Sequence, residues 1–233
     1  MTRVLTVLSA VFLFLALPAA AEDNPVVVEL FTSQGCSSCP PADEWLLGMT
    51  GRRDVLALAL HVDYWDYIGW KDRFADPRYS ERQRAYASHA GRRMVYTPQM
   101  IVNGLDSVEG FKHGQLKALI RQSAAAPKLV VLRAVREGNV VTIEANRRNG
   151  LKSGPLLVQI VRFQPRREID ITRGENAGRH MAYGNVVEDW AVIGEWDGSE
   201  PLAMQTRISG SHPAAIVIQR AGPGAILAAA RLD

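Results

Sequence analysis

Hydrophobic and polar positions divide the chain into two stretches with different periods. The string Val26-Val27-Val28-Glu29-Leu30-Phe31-Thr32 is short, apolar and rich in β-branched side chains, and Gln34-Gly35 ends it. It predicts a buried strand followed by a tight turn. Pro40-Pro41-Ala42-Asp43-Glu44-Trp45-Leu46-Leu47 then places prolines and acids ahead of apolar residues, the pattern of a helix start. A second apolar run of strand length, Val55-Leu56-Ala57-Leu58-Ala59-Leu60, completes a strand–helix–strand unit. After an aromatic stretch (Tyr64, Trp65, Tyr67, Trp70, Phe74), Asp76-Pro77 sets an N-cap and first turn for a helix through about residue 90, closed by Gly91. That helix reads as an insertion between core strands. Residues 100–108 form a hairpin pattern around Asn103-Gly104, and 111–125 reads as a closing helix.

Beyond Ala124-Ala125-Ala126-Pro127 the pattern shortens to alternating segments near 129–136, 140–147, 156–164, 168–173, 185–193, 203–209 and 214–220, separated by Gly- and Asn-containing turns. This is the spacing of an antiparallel sandwich. The pattern therefore predicts an α/β domain with a helical insertion, which the cysteine and proline signals and the resemblance described below make thioredoxin-like, followed by a mostly antiparallel β-sandwich-like domain. The corresponding boundaries are 1–21 for a signal peptide, 22–126 for the first domain and 127–233 for the second. On these boundaries a fragment ending near Pro127 would fold alone.

The leading segment reads as processing. Arg3 precedes an uncharged, apolar run over 4–17, and Pro18-Ala19-Ala20-Ala21 supplies the small residues that a signal peptidase accepts before Glu22. An uncleaved anchor is the alternative, although the run falls short of the roughly 20 apolar residues of a spanning helix. The expectation is a periplasmic or secreted protein with no stable membrane insertion after cleavage. Lys and Arg total 27 against 24 Asp and Glu, spread along the chain, so no basic arm points to nucleic acid. Two cysteines among 233 residues cannot build a disulfide framework.

Both cysteines fall in Cys36-Ser37-Ser38-Cys39, at the junction of the first strand and helix. There the helix N-terminus favours a thiolate, and the spacing allows a disulfide. Cys36 is expected to be the exposed attacking thiolate and Cys39 the more buried resolving thiol. A structural disulfide and half of a metal site are the competing readings; the histidines show no spacing that would complete a zinc site. Thr97-Pro98 directly precedes the strand at 100–102. In thioredoxin-like folds a cis-proline at this place faces the Cys-x-x-Cys pair, and cis bonds are essentially a proline phenomenon.

The strings Val28-Glu29-Leu30-Phe31-Thr32-Ser33-Gln34-Gly35-Cys36-Ser37-Ser38-Cys39-Pro40-Pro41-Ala42-Asp43 and His61-Val62-Asp63-Tyr64-Trp65-Asp66-Tyr67-Ile68-Gly69-Trp70-Lys71-Asp72 closely resemble a family of exported bacterial proteins catalogued as domain of unknown function 1223. Thr97-Pro98-Gln99-Met100-Ile101-Val102-Asn103-Gly104 and Arg173-Gly174-Glu175-Asn176-Ala177-Gly178-Arg179 extend the resemblance over nearly the whole chain after residue 21. It implies a thioredoxin-like domain with a β-rich appendage, and supplies no substrate.

Four further features invite roles. Glu29, seven residues before Cys36, is either a buried acid that shuttles the resolving thiol's proton or a strand-end hydrogen-bonding group. The aromatic stretch at 64–70 is either packing for the inserted helix or a lid for an unfolded peptide. His61 reads as a satisfied core histidine, and 173–180 as a solvated loop or a contact between the two halves. The expected function is thiol-disulfide exchange with exported protein thiols or disulfides through Cys36 and Cys39, with Thr97, Pro98 and Glu29 in support and no cofactor or metal. The alternative is a copper-binding or metallochaperone protein using the same two thiolates.

Overall fold

A computed structural model describes residues 24–222 and 224–232. The leader expected at 1–21 lies outside the described residues. The first strand and helix form where the pattern places them: β1 spans Val26–Thr32 and α1 Pro40–Met49, with Pro40 and Pro41 in the first turn, where their missing N–H groups cost nothing. β2 (Val55–His61) runs parallel to β1. A 3-10 turn at Asp66–Ile68 leads to α2 (Pro77–His89). Asp76 caps α2 by accepting from the Arg78 N–H at 2.9 Å. β3 (Gln99–Val102) and β4 (Asp106–Glu109) pair antiparallel across Asn103-Gly104, both at positive φ, and α3 (His113–Ala125) follows.

β1 and β2 divide their side chains between two layers by strand parity. Val26, Val28 and Leu30 pack with Val55, Ala57 and Ala59 under α1 and α3. Val27, Phe31, Leu56, Leu58 and Leu60 face the other way, towards Tyr79 and Tyr86 of α2.

The second half departs from expectation. β5 (Val130–Glu137), β6 (Val140–Arg147) and β9 (Leu202–Arg207) form a three-stranded antiparallel sheet. The long strands β7 (Leu156–Ile171) and β8 (Arg179–Trp196), with β10 (Ala214–Arg220) and β11 (Ile226–Leu232), instead join the first half in one eight-stranded mixed sheet of order β11-β10-β7-β8-β2-β1-β3-β4. The junction is a parallel pairing of β2 with β8 at Ala59 and Val186.

The chain is thus not a thioredoxin fold with a helical insertion followed by a separate sandwich. The described residues are 44% strand and 19% helix, and one sheet runs through both halves. The physical reason is the β2 edge, which is covered by β8, while the layer beneath α2 is completed by Val161, Phe163, Val187, Ala215, Val217, Ile226 and Ala229 from the second half. A fragment ending at Pro127 would expose that apolar layer and the β2 edge to water. It is expected to lose the cooperative thermal transition of the full chain, which circular dichroism melts of the two species would check.

Candidate functional site

The turn between β1 and α1 closes a disulfide between Cys36 and Cys39, with Cα atoms 5.4 Å apart. Cys36 N–H donates to the Ser33 carbonyl, and Cys39 N–H to that of Cys36. Cys39 is itself the N-cap of α1, so the helix starts after the second cysteine and the first lies in the preceding turn. Exposure does not separate the two, Cys36 being 1% and Cys39 0% exposed, contrary to the expectation of an open first sulfur. What separates them is their company. Ser38 Oγ, on the exposed side, lies 3.4 Å from Cys36 Sγ and donates to the Thr97 carbonyl at 3.4 Å. The Thr97–Pro98 bond is cis, and the bond from Ser38 brings the Thr97 carbonyl to the cysteine turn.

The aromatic stretch forms the surrounding wall. Trp65 Nε1 donates to Thr97 Oγ1 at 2.7 Å, and Trp70 Nε1 to Gln34 Oε1 at 2.8 Å, while Tyr67 stands 81% exposed. These contacts serve the cysteine turn as well as the packing of α2.

Glu29 is not part of this site. Its position on β1 shares the parity of Val27 and Phe31, so it faces α2, where Arg82 grips it at 2.6 and 3.1 Å and Tyr86 donates at 2.6 Å. The Arg82 guanidinium also lies 3.7 Å from the Trp190 ring centroid and donates to Gln219 Oε1. Of the two readings of Glu29, the geometry gives the hydrogen-bonding one; the acid is bound on the face opposite α1.

On the α1 face, residues outside the expected set gather instead. Thr32 and His61, at the ends of β1 and β2, are buried there with Asp43. His61 Nδ1 lies 2.8 Å from Asp72 Oδ2. Asp72 also accepts from the Gln34 and Phe74 N–H groups at 2.8 Å each. Burial alone would raise the Asp72 carboxyl, but His61 and these donors hold it below the usual carboxylate range. As Asp72 is therefore an acceptor, Nδ1 of His61 carries the hydrogen and its Nε2 is left as the free ring position. Asp43 has no such backbone donors: burial pushes its carboxyl up to about 7, with His61 and the nearby Thr32 hydroxyl pulling it back and Asp72 adding to the rise. Tyr183 packs edge-on against His61, with ring centroids 4.7 Å apart.

The segment 173–180 reaches this cluster too. Gly174, at φ 76°, turns the chain against Trp70, and buried Asn176 donates to the carbonyls of Gln34 and Cys36 at 2.9 Å each. Of the two readings of this segment, contact between the halves is the one observed. Asp43, Asp72 and Asn176 carried no distinguishing signal in the sequence beyond lying near the cysteines or in the four family-like strings.

A raised carboxyl binds a proton in the folded chain that the unfolded chain has released, so its stabilising contribution declines as pH climbs from about 4 to about 7. Asp43→Asn removes that dependence. The variant is expected to gain stability relative to the unmodified protein on going from pH 5 to pH 8, as read from urea midpoints at the two pH values.

Fold and site together define a mixed-sheet protein with a buried Cys-x-x-Cys disulfide at a strand-to-helix turn. Residues 27–219 match the family described as protein of unknown function (DUF1223), and the chain belongs to that family. Its fold is similar to a crystal structure of a protein from Agrobacterium tumefaciens, with 36% identity, TM-score 0.74, and coverage of 91% of this chain and 96% of the other. It is also similar to HBP35 of Porphyromonas gingivalis, at 15% identity, TM-score 0.62, 90% of this chain and 74% of the other, a likeness of fold alone. Among curated proteins none matches. Among the described residues no helix is long and apolar enough to cross a membrane, and no three His, Cys, Asp or Glu residues converge as a metal-holding group.

Proposed function

We propose that this protein is a thiol-disulfide oxidoreductase that exchanges the Cys36–Cys39 disulfide with protein substrates outside the cytoplasm. The observation that carries the reading is where the disulfide sits. It closes a sequence separation of only three residues, within a turn flanked by exposed Ser37 and Ser38. In the chain-entropy picture such a short loop stabilises the fold by about 2 kcal/mol, against about 4.7 kcal/mol for a 100-residue loop. As a staple it does little, and the residues around it bind the turn independently of the S–S bond: Asn176 holds two carbonyls, and Asp72 and Trp70 hold Gln34. The turn can therefore keep its shape when the bond opens. Export is supported by the apolar run and small residues at the chain's start.

In the exchange, a thiolate of the partner attacks a sulfur of the pair and the S–S bond breaks, its electrons leaving on the other sulfur. A second partner thiolate then attacks its own chain's sulfur in the mixed disulfide. Two electrons pass from the partner dithiol to the cysteine pair, and the reverse sequence returns them.

The test is incubation of the oxidised protein with a reduced, unfolded polypeptide bearing two cysteines, in parallel with Cu(I) titration of the reduced protein. The reading expects stoichiometric transfer of the disulfide at neutral pH. Tight Cu(I) binding without transfer would overturn it in favour of a copper-holding protein.

A further inference from the structure

Around the cysteine turn, six buried side-chain atoms have no hydrogen-bond partner among the described residues: Thr32 Oγ1, Gln34 Nε2, both Asp43 carboxyl oxygens, His61 Nε2 and Asn176 Oδ1. A buried polar atom left unpaired costs about 1–3 kcal/mol, and more when charged. A cluster that served only packing would be cheaper built from apolar side chains. Asp43 is the most exposed to this argument, since neither of its oxygens is satisfied although the residue is only 2% exposed.

Register fixes which sulfur this cluster serves. Asp43 N–H donates to the Cys39 carbonyl at 3.1 Å, one helical turn on. Residues four apart share a helix face, and side chains lean towards the N-terminus, so the carboxyl is directed back over the turn that holds Cys39. Behind it, Asp72 fixes the His61 ring at Nδ1, and Nε2 is buried with no partner among the described residues.

We propose that Asp43, with His61 held in position by Asp72, is the proton store for the Cys39 sulfur. The inference rests on the exchange reading above. When a thiolate of a protein dithiol attacks Cys36 Sγ, the Cys36–Cys39 bond breaks and its electron pair goes to Cys39 Sγ, which takes the Asp43 proton. The second thiol of the partner gives up its proton, which restores Asp43 through solvent. Its sulfur then attacks the partner sulfur bonded to Cys36 and releases the Cys36 thiolate. Cys36 takes up the proton that the first partner thiol had released to solvent. The partner has lost two electrons and two protons, and the pair has gained them. Oxidation runs in reverse, with Asp43 accepting the Cys39 proton.

The titratable groups that bear on Asp43 are His61 from β2, Asp72 from the loop after the 3-10 turn and Tyr183 from β8, besides the cysteines of its own turn. Burial accounts for a carboxyl that keeps its proton near neutral pH, as a store requires.

The experiment follows reduction by dithiothreitol, and the alkylation rate of each thiol in the reduced protein, from pH 5 to pH 9 in the full chain and in Asp43→Asn. The expected result is a break near pH 7 in the Cys39 profile of the unmodified protein. Its loss in Asp43→Asn should come with exchange slower by about a hundredfold, the lower end of the range for proton-transfer catalysis. Identical pH profiles in the two proteins would overturn the proposal while leaving exchange intact. Failure of the unmodified protein to exchange in native buffer would overturn the exchange reading itself. Should Asp43→Asn not fold, carboxyl-carbon NMR of the unmodified protein decides: a titration of Asp43 that moves between the oxidised and reduced states supports the store, and one that does not move contradicts it.

Discussion

Cys39→Ser is expected to leave Cys36 able to form mixed disulfides that persist, whereas Cys36→Ser is expected to reduce exchange to background. The difference follows from the surroundings of the two sulfurs. Both cysteines are buried, but Cys36 Sγ lies against the hydroxyl of exposed Ser38, whereas Cys39 caps α1. On the exchange reading, a partner thiolate approaching past Ser37 and Ser38 is expected to reach Cys36 first, with Cys39 acting from within. Non-reducing gels followed by mass spectrometry of the adducts measure the effect. Adducts that form equally well on Cys39 in Cys36→Ser would show that the assignment of attacking and resolving sulfur is inverted.

Arg82→Met is expected to cost the fold about 3–5 kcal/mol, the usual result of leaving one member of a buried ion pair uncompensated. Glu29 is wholly buried, and its carboxylate oxygens are held by Arg82 and Tyr86. For a chain of this length the loss corresponds to a fall in Tm of roughly 6–20 °C. The double variant Glu29→Gln, Arg82→Met removes the stranded charge and is expected to recover part of the stability. Thermal melts of the single and double variants at neutral pH test both statements. Equal losses in the two variants would mean that the stacking of the Arg82 guanidinium on Trp190, not its pairing with Glu29, sets the cost.

The elements that were legible in the sequence are those specified by neighbours along the chain. Asp76-Pro77 starts α2, Asn103-Gly104 turns the β3–β4 hairpin, and the prolines after Cys39 start α1, all by local backbone chemistry. The long strand β7 read as two because Pro165 and the changing register around Arg162 interrupt its alternation. β11 escaped notice because Ile226-Leu227-Ala228-Ala229-Ala230 lacks the β-branched bulk of a strand; small residues serve there because both faces are packed. The pairing of β2 with β8, which overturns the two-part architecture, joins residues more than a hundred positions apart and leaves no trace in local periodicity.

The same division holds at the site. The Cys36–Cys39 disulfide and the cis Thr97–Pro98 bond were legible because each carries its own chemical signal. Glu29 was placed by distance in sequence, although strand parity alone sends it with Val27 and Phe31 to the α2 face. Asp43 passed as an ordinary first-turn acid, and His61 as a satisfied core histidine. Only one of its ring nitrogens is satisfied, which became visible once β2, α1 and the loop carrying Asp72 were brought together.

The measurement that bears most directly on exchange through Cys36 and Cys39 is the reduction potential of the pair in the folded full chain, equilibrated with dithiothreitol mixtures and read by thiol trapping and near-ultraviolet circular dichroism. A reversible two-electron transition above about −300 mV, with the fold retained on reduction, is the predicted result. A pair that resists reduction below that potential, or opens only when the chain unfolds, would make the disulfide structural and contradict the account.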